Sequence, residues 1–268
     1  MNLLIYLFVF TFGALLGSFL NCLAYRLELE SQKDYKGSPS HSFLRGRSFC
    51  PKCKHTLGFW DLLPILSFIF LRAKCRYCSK KISWQYPAAE IAMGLLLILN
   101  FKFLILHEFL NFKTFLTAAY LIFITGALLV IFIYDLKHYI IPDKVVFPAM
   151  AAALLYQMFF GDFKFALLAA IVAAGFFFAI WALSKGKWMG FGDVKLAFLM
   201  GLLLGWPNIL VGLFFSFLIG AIIGLGLVAF GKKKLKSMVP FGPFLVLGAF
   251  IALFFSQQII GFYVKLCF

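Results

Sequence analysis

The chain has 268 residues, 63% of them hydrophobic, with 37 Phe and a formal net charge of +15, and its mean hydropathy is +0.98. That composition excludes a soluble globular domain, whose apolar share is roughly half, and indicates a membrane protein. The positive charge does not indicate nucleic acid: outside one stretch from Arg26 to Lys81 the cations stand in short loops between apolar runs, as topology-setting charges do.

The first predicted element is an apolar span over Leu3–Leu23, with no Lys or Arg before Arg26. A secretory leader would carry its positive charge ahead of the apolar run and a small-residue cleavage site behind it. The expectation is therefore an uncleaved span with its N-terminus outside.

A polar stretch follows, holding Cys50-x-x-Cys53 and Cys75-x-x-Cys78, with Lys54 to Lys74 between the pairs. Two thiolate pairs at this knuckle spacing offer four soft ligands for tetrahedral zinc. Free thiols or redox chemistry are the alternatives, and His55 is a possible competing ligand. Four cysteines leave no open coordination position, so the expected zinc is structural. Asp61 and Glu90, near the membrane edge, are expected to act in capping or ion pairs.

Seven further spans are predicted from hydropathy and breakers: Ala88–Leu106, Phe115–Tyr134, Val145–Phe160, Phe165–Leu183, Val194–Trp206, Ile209–Phe230 and Phe241–Val264. The expected fold class is thus an all-α polytopic membrane protein of about eight transmembrane helices, with a small cytoplasmic zinc-binding insert between the first and second. The expected division is residues 1–24 as first helix, 25–87 as insert and 88–268 as the main membrane domain. The spans at Val145 and Val194 are short for a bilayer, so seven spans or a re-entrant segment is the alternative. With the N-terminus outside, all of the 25 Lys and Arg except Lys102, Lys113, Lys164 and Lys265 fall on the inner side, including the cluster Lys232 to Lys236. That asymmetry sets the orientation.

Two aspartates mark span edges on that inner side. Asp135 closes the apolar run ending Ile133-Tyr134, and Asp193 follows Gly190-Phe191-Gly192 at the start of another. Ionisable groups so placed point to a functional site. Paired aspartates can share a proton, one acting as general base on water and the other as general acid. Gly190 and Gly192 are expected to permit positive φ and close approach of a substrate backbone. Asp143, before the fourth span, is read as a helix N-cap.

Gly190-Phe191-Gly192-Asp193-Val194-Lys195 resembles the signature of the type IV prepilin peptidases, membrane aspartyl proteases of the GxGD class. Asp135 to Asp143, with its Ile-Pro-Asp, resembles the family's first aspartate motif. Gly17-Ser18-Phe19-Leu20-Asn21, the cysteine pairs, Asp61-Leu62-Leu63-Pro64, Tyr86-Pro87-Ala88-Ala89-Glu90 and Val239-Pro240-Phe241-Gly242-Pro243 are similar to further family elements. The last of these is assigned no chemistry.

The resemblance implies catalytic roles for Asp135 and Asp193, with Gly190, Gly192 and Lys195 as the supporting loop. It also implies a bacterial cytoplasmic (inner) membrane location and prepilin or pseudopilin substrates, cut after a glycine. Full-length bacterial members also N-methylate the new terminus with S-adenosylmethionine, and residues 25–87 are the expected methyltransferase part. No Gly-x-Gly-x-x-Gly turn is visible, so that activity rests on the resemblance. Membrane lipid is the other expected partner. Two other classes remain in view. A polytopic transporter would use Asp135 and Asp193 as a proton or cation relay, and a non-enzymatic scaffold would explain only the cysteines.

Overall fold

The computed structural model describes residues 3–31, 48–105, 111–230 and 239–267. The cluster Lys232 to Lys236 and residues 32–47 of the basic stretch lie outside them, as does Leu106. The described elements are helices α1 (Leu3–Ser31), α2 (Leu66–Phe70), α3 (Gln85–Ile105), α4 (Phe112–His138), α5 (Asp143–Phe160), α6 (Phe163–Ser184), α7 (Phe191–Leu204), α8 (Asn208–Ala229) and α9 (Gly242–Cys267), with a 3₁₀ turn at Phe59–Leu62. Two isolated β-bridges are the extended pairing among the described residues.

Seven of these helices are long and apolar enough to cross a membrane, so the chain is a multi-pass membrane protein. The eighth apolar helix, α7, has 14 residues, or about 21 Å at 1.5 Å per residue, short of a hydrocarbon core of roughly 30 Å. It needs no lipid match because protein surrounds it: ten of its residues are buried. Helix ends reach beyond the apolar runs. Helix α1 continues to Ser31, past the expected Leu23, because Ala24 to Glu30 contains good helix formers and no Gly or Pro. Helix α4 extends to His138, which puts Asp135 inside its last turn rather than beyond it.

The chain divides into two compact units, Met1–Val130 and Ile131–Phe268, the division falling within α4. In the first, α1 and α3 cross closely through small residues, as membrane helices do where apolar burial gives no preference for a partner over lipid. A side chain at Gly13 would stand 2.7 Å from the Gly94 Cα, and one at Gly17 would stand 2.8 Å from the Glu90 Cα. Polar groups tie the same helices. Asn21 donates to the Tyr86 carbonyl at 3.3 Å and accepts from Gln85 Nε2 at 3.2 Å. Asn100 donates to Thr125 at 3.2 Å between α3 and α4.

In the second unit α7 packs against α5, α6, α8 and α9. Gly201 of α7 lies directly on the Ala169–Ala170 backbone of α6, with no room for a side chain. Leu196, Leu199 and Met200 are fully buried, while Leu168, Ile171, Phe214 and Ile222 face outward, the distribution of a bundle whose solvent is lipid.

Candidate active site

Asp135 and Asp193 reach one place in the second unit from opposite helix polarities. Helix α4 ends just after Asp135: Tyr139 adopts φ 58° and donates its N–H to the Asp135 carbonyl at 2.9 Å, a left-handed stop of the kind glycine usually provides. Asp193 sits in the first turn of α7, three residues after the N-cap Gly190. Its carboxylate accepts the Gly190 N–H, half of a capping box. Asp135 accepts the N–H of Gly242, the first residue of α9. Both aspartates are buried, 4% and 8% exposed, and close enough for their charges to interact. Two helix N-termini thus aim positive backbone dipoles at two carboxylates.

The glycines serve differently from expectation. Gly190 is extended at φ −75°, Gly192 is helical, and neither is among the positive-φ residues. Gly192 lacks a side chain for want of space: a Cβ there would stand 3.1 Å from the Ile141 Cβ. Asp143 is likewise not the N-cap of α5. That position is Pro142, and Asp143, first in the helix, pairs with Lys195 at 2.6 Å. Lys195 also lies over the rings of Phe147 and Phe191, 5.2 and 5.5 Å from their centroids.

Gly242 lies in the element over residues 239–243, to which the sequence alone assigns no chemistry, and it completes the site. The signal was Pro243 behind it: proline at the second helical position stiffens a first turn whose N–H groups have no partner inside the helix. Gly242 keeps its N–H, which Asp135 takes.

The four cysteines form a second candidate site, in the first unit. Their ligand atoms all lie within 4.8 Å of one another, and Cys50 Sγ is 3.9 Å from Cys78 Sγ. Thiolates around tetrahedral zinc at about 2.3 Å stand about 3.8 Å apart, so this cluster can hold such a metal. Its two halves repeat one knuckle. Cys50 donates its N–H to His55 and accepts from Lys54; Cys75 donates to Lys80 and accepts from Ser79, all at 2.9 Å. Lys54 and Ser79, each just after the second cysteine of its pair, take φ 62° and 56°.

Burial pushes the Cys50 thiol up, but hydrogen bonds from the Cys53 and Lys52 backbone and from neighbouring sulfurs outweigh it and bring it down to about 7. The Lys80 backbone lowers Cys78, while desolvation and the other three sulfurs outweigh that and raise it to about 11. The thiols divide in this way because one accepts hydrogen bonds from its neighbours as a thiolate, while the other is held protonated as a donor. His55 stands aside, its ring stacked on Tyr77 at 3.7 Å.

Asp61 does pair and cap as expected, with Arg76 at 2.9 Å and the Gly58 N–H at 3.1 Å. Glu90 also caps, accepting the N–H of Ile65, the N-cap of α2, at 2.8 Å and holding a β-branched residue at φ 62°, where such residues are outliers.

Comparison with known proteins matches residues 11–103 to the Bacterial Peptidase A24 N-terminal domain and residues 121–225 to the Type IV leader peptidase family. The chain is 30% identical to a Prepilin leader peptidase/N-methyltransferase of Stutzerimonas stutzeri, over 94% of this chain and 91% of that one. It is 32% identical to a protein of the same name from Bacillus subtilis (strain 168), over 96% and 97%, and 30% identical to one from Aeromonas hydrophila, over 95% and 92%. No solved structure matches.

Proposed function

Since the chain belongs to the type IV leader peptidase family, we propose that it removes the leader of prepilins or pseudopilins by an aspartate pair, Asp135 and Asp193, and N-methylates the residue so exposed. One observation carries the catalytic assignment: two buried carboxylates interact by charge, each accepting one backbone N–H at a helix start.

The pair holds one proton between them. A water between the carboxylates gives its proton to the ionised one as its oxygen attacks the scissile carbonyl carbon. The protonated carboxyl gives its proton to the carbonyl oxygen, and a gem-diol forms. The first carboxyl then protonates the amide nitrogen as the C–N bond breaks, while the second takes a proton from the gem-diol. One acid and one carboxylate are restored, and no acyl-enzyme forms.

The loop of Gly190, Gly192 and Lys195 supports Asp193. The distribution of loop cations supports a site at the cytoplasmic face, where the anionic leaflet would also attract a basic leader. Residues 88–268 make the protease part and residues 25–87 the insert. Cys50, Cys53, Cys75 and Cys78 would hold a zinc ion, which supplies a structural cross-link there. Among the described residues there is no strand, so the strand, glycine turn and helix that cradle a nucleotide in Rossmann folds are not among them.

The test is mass spectrometry of the N-terminus of a co-expressed prepilin, which reports cleavage position and methylation together. A leader removed at its glycine with 14 Da added (one methyl group, about that mass) is the expected product. An intact leader beside well-expressed enzyme contradicts the proposal.

A further inference from the structure

Resting on the aspartate-pair reading, we infer that Gly242 is a positioning residue of the active site, and that Ile141 is the spacer fixing where both aspartate-bearing segments stand. Asp135, Ile141, Gly192, Asp193 and Gly242 all lie in the second unit.

Gly242 opens α9 and donates its N–H to the Asp135 carboxylate. It is not among the positive-φ glycines, which are Gly186 and Gly205, so nothing in its backbone conformation demands glycine. Space does. A Cβ at this position would overlap the Asp135 Oδ2, and would stand 3.1 Å from its Cγ and 3.4 Å from the Ile141 Cδ1. The carboxylate occupies the room that any side chain would need.

Ile141 faces the second bare position as well. A Cβ on Gly192 would meet its Cβ, Cγ1 and Cδ1 at 3.1, 3.3 and 3.4 Å. Ile141 is 6% exposed and precedes Pro142, the N-cap of α5, whose ring restricts the backbone before it. One stiff, β-branched side chain therefore fills the gaps that two glycines leave. One of those glycines adjoins Asp193, and the other holds Asp135. The start of α7, the start of α9 and the turn after α4 meet on this side chain, and the separation of the two carboxylates follows from it. A proton-sharing pair tolerates little change there, because misplacing reacting groups by about 1 Å costs up to roughly 100-fold in rate.

The experiment is steady-state cleavage of a prepilin by the full-length protein in proteoliposomes, at matched membrane levels. Gly242→Ala is expected to lower kcat by about tenfold or more with KM nearly unchanged, and Ile141→Ala does not rescue it, since the overlap is with Asp135 itself. Gly192→Ala is expected to lose kcat similarly, and Ile141→Ala in the same chain not to restore it, because the Ile141 Cβ that alanine keeps is the nearest atom, at 3.1 Å. Should Gly242→Ala fail to fold, Ile141→Val, which removes only the Cδ1 methyl reaching both glycines, tests the spacer with little risk to the bundle. It is expected to lower kcat several-fold without moving KM. Wild-type kcat in Gly242→Ala, in Gly192→Ala or in Ile141→Val overturns the inference. Asp135→Asn and Asp193→Asn run alongside: if they still cleave, it is the aspartate-pair reading that fails; if they are dead while Gly242→Ala is fully active, only this inference does.

Discussion

Lys195 Nζ stands 2.6 Å from Asp143 Oδ1, joining the residue two places after Asp193 to the first residue of α5. The pair is lopsided in its exposure: the Lys195 side chain is 21% exposed and that of Asp143 56%. Lys195 is also packed over two aromatic rings, and a cation held in this way keeps part of its attraction without its carboxylate.

The first prediction follows from that asymmetry. An ion pair with one partner in solvent contributes about 1 kcal/mol or less, so Asp143→Asn is expected to keep most of the cleavage activity, within roughly fivefold of the parent kcat/KM. Lys195→Met loses the charge but retains much of the contact with Phe147 and Phe191, and is expected to cost stability little. Rates of leader removal and thermal unfolding of the purified variants check both. Loss of all activity in Asp143→Asn would mean that Asp143 belongs to the reacting pair.

The cysteine cluster yields the second. Protein purified under reducing conditions is expected to carry about one zinc per chain, following from four thiolate ligands, and Cys50→Ser with Cys53→Ser to abolish it. The aspartates and the cysteines lie in different compact units, so Cys75→Ser is expected to lower methylation of the product more than cleavage. Levels in the membrane must be equal in that comparison, because loss of a structural metal exposes a chain to proteolysis. Elemental analysis and mass spectrometry of the product read the two effects. Metal-free reduced protein contradicts the first, and methylation that outlasts cleavage contradicts the second.

Much of this architecture is legible in residue types. Asp135 and Asp193 stand out because a charge at the edge of an apolar run is costly, and Cys50 to Cys78 because thiol pairs at knuckle spacing have few other uses. Gly242 does not stand out. Its contribution is a backbone N–H and the lack of a side chain, and neither alters hydropathy or charge. Gly192 stands out in the sequence for a conformation it does not adopt; its neighbour Ile141, 3.1 Å from the missing Cβ, belongs to a distant loop and is invisible in local sequence. Helix ends differ from the expected ones for a related reason. The run Ala24 to Glu30 is polar enough to leave the bilayer yet still helix-forming, so α1 outlasts its apolar segment.

Packing around α7 gives the third prediction. Gly201 rests on the Ala169–Ala170 backbone, which cannot swing aside as a flexible side chain would. Gly201→Ala is expected to destabilise the bundle by about 1–3 kcal/mol, the usual range for overpacking, seen as a lower Tm in detergent. Gly224→Ala, where a Cβ would meet nothing within 4 Å, is the control and is expected to leave Tm unchanged. Equal Tm values for the two variants would contradict the close α6–α7 crossing.

The most direct test of the central claim is the prepilin N-terminus produced by Asp135→Asn and by Asp193→Asn, each at parental membrane level. An amide cannot take the water's proton or pass it on, so neither variant can run a shared-proton mechanism. Mass spectrometry is expected to find the leader intact with both variants and removed with the parent protein. Leader removal at near-parental rate by either variant would contradict the account.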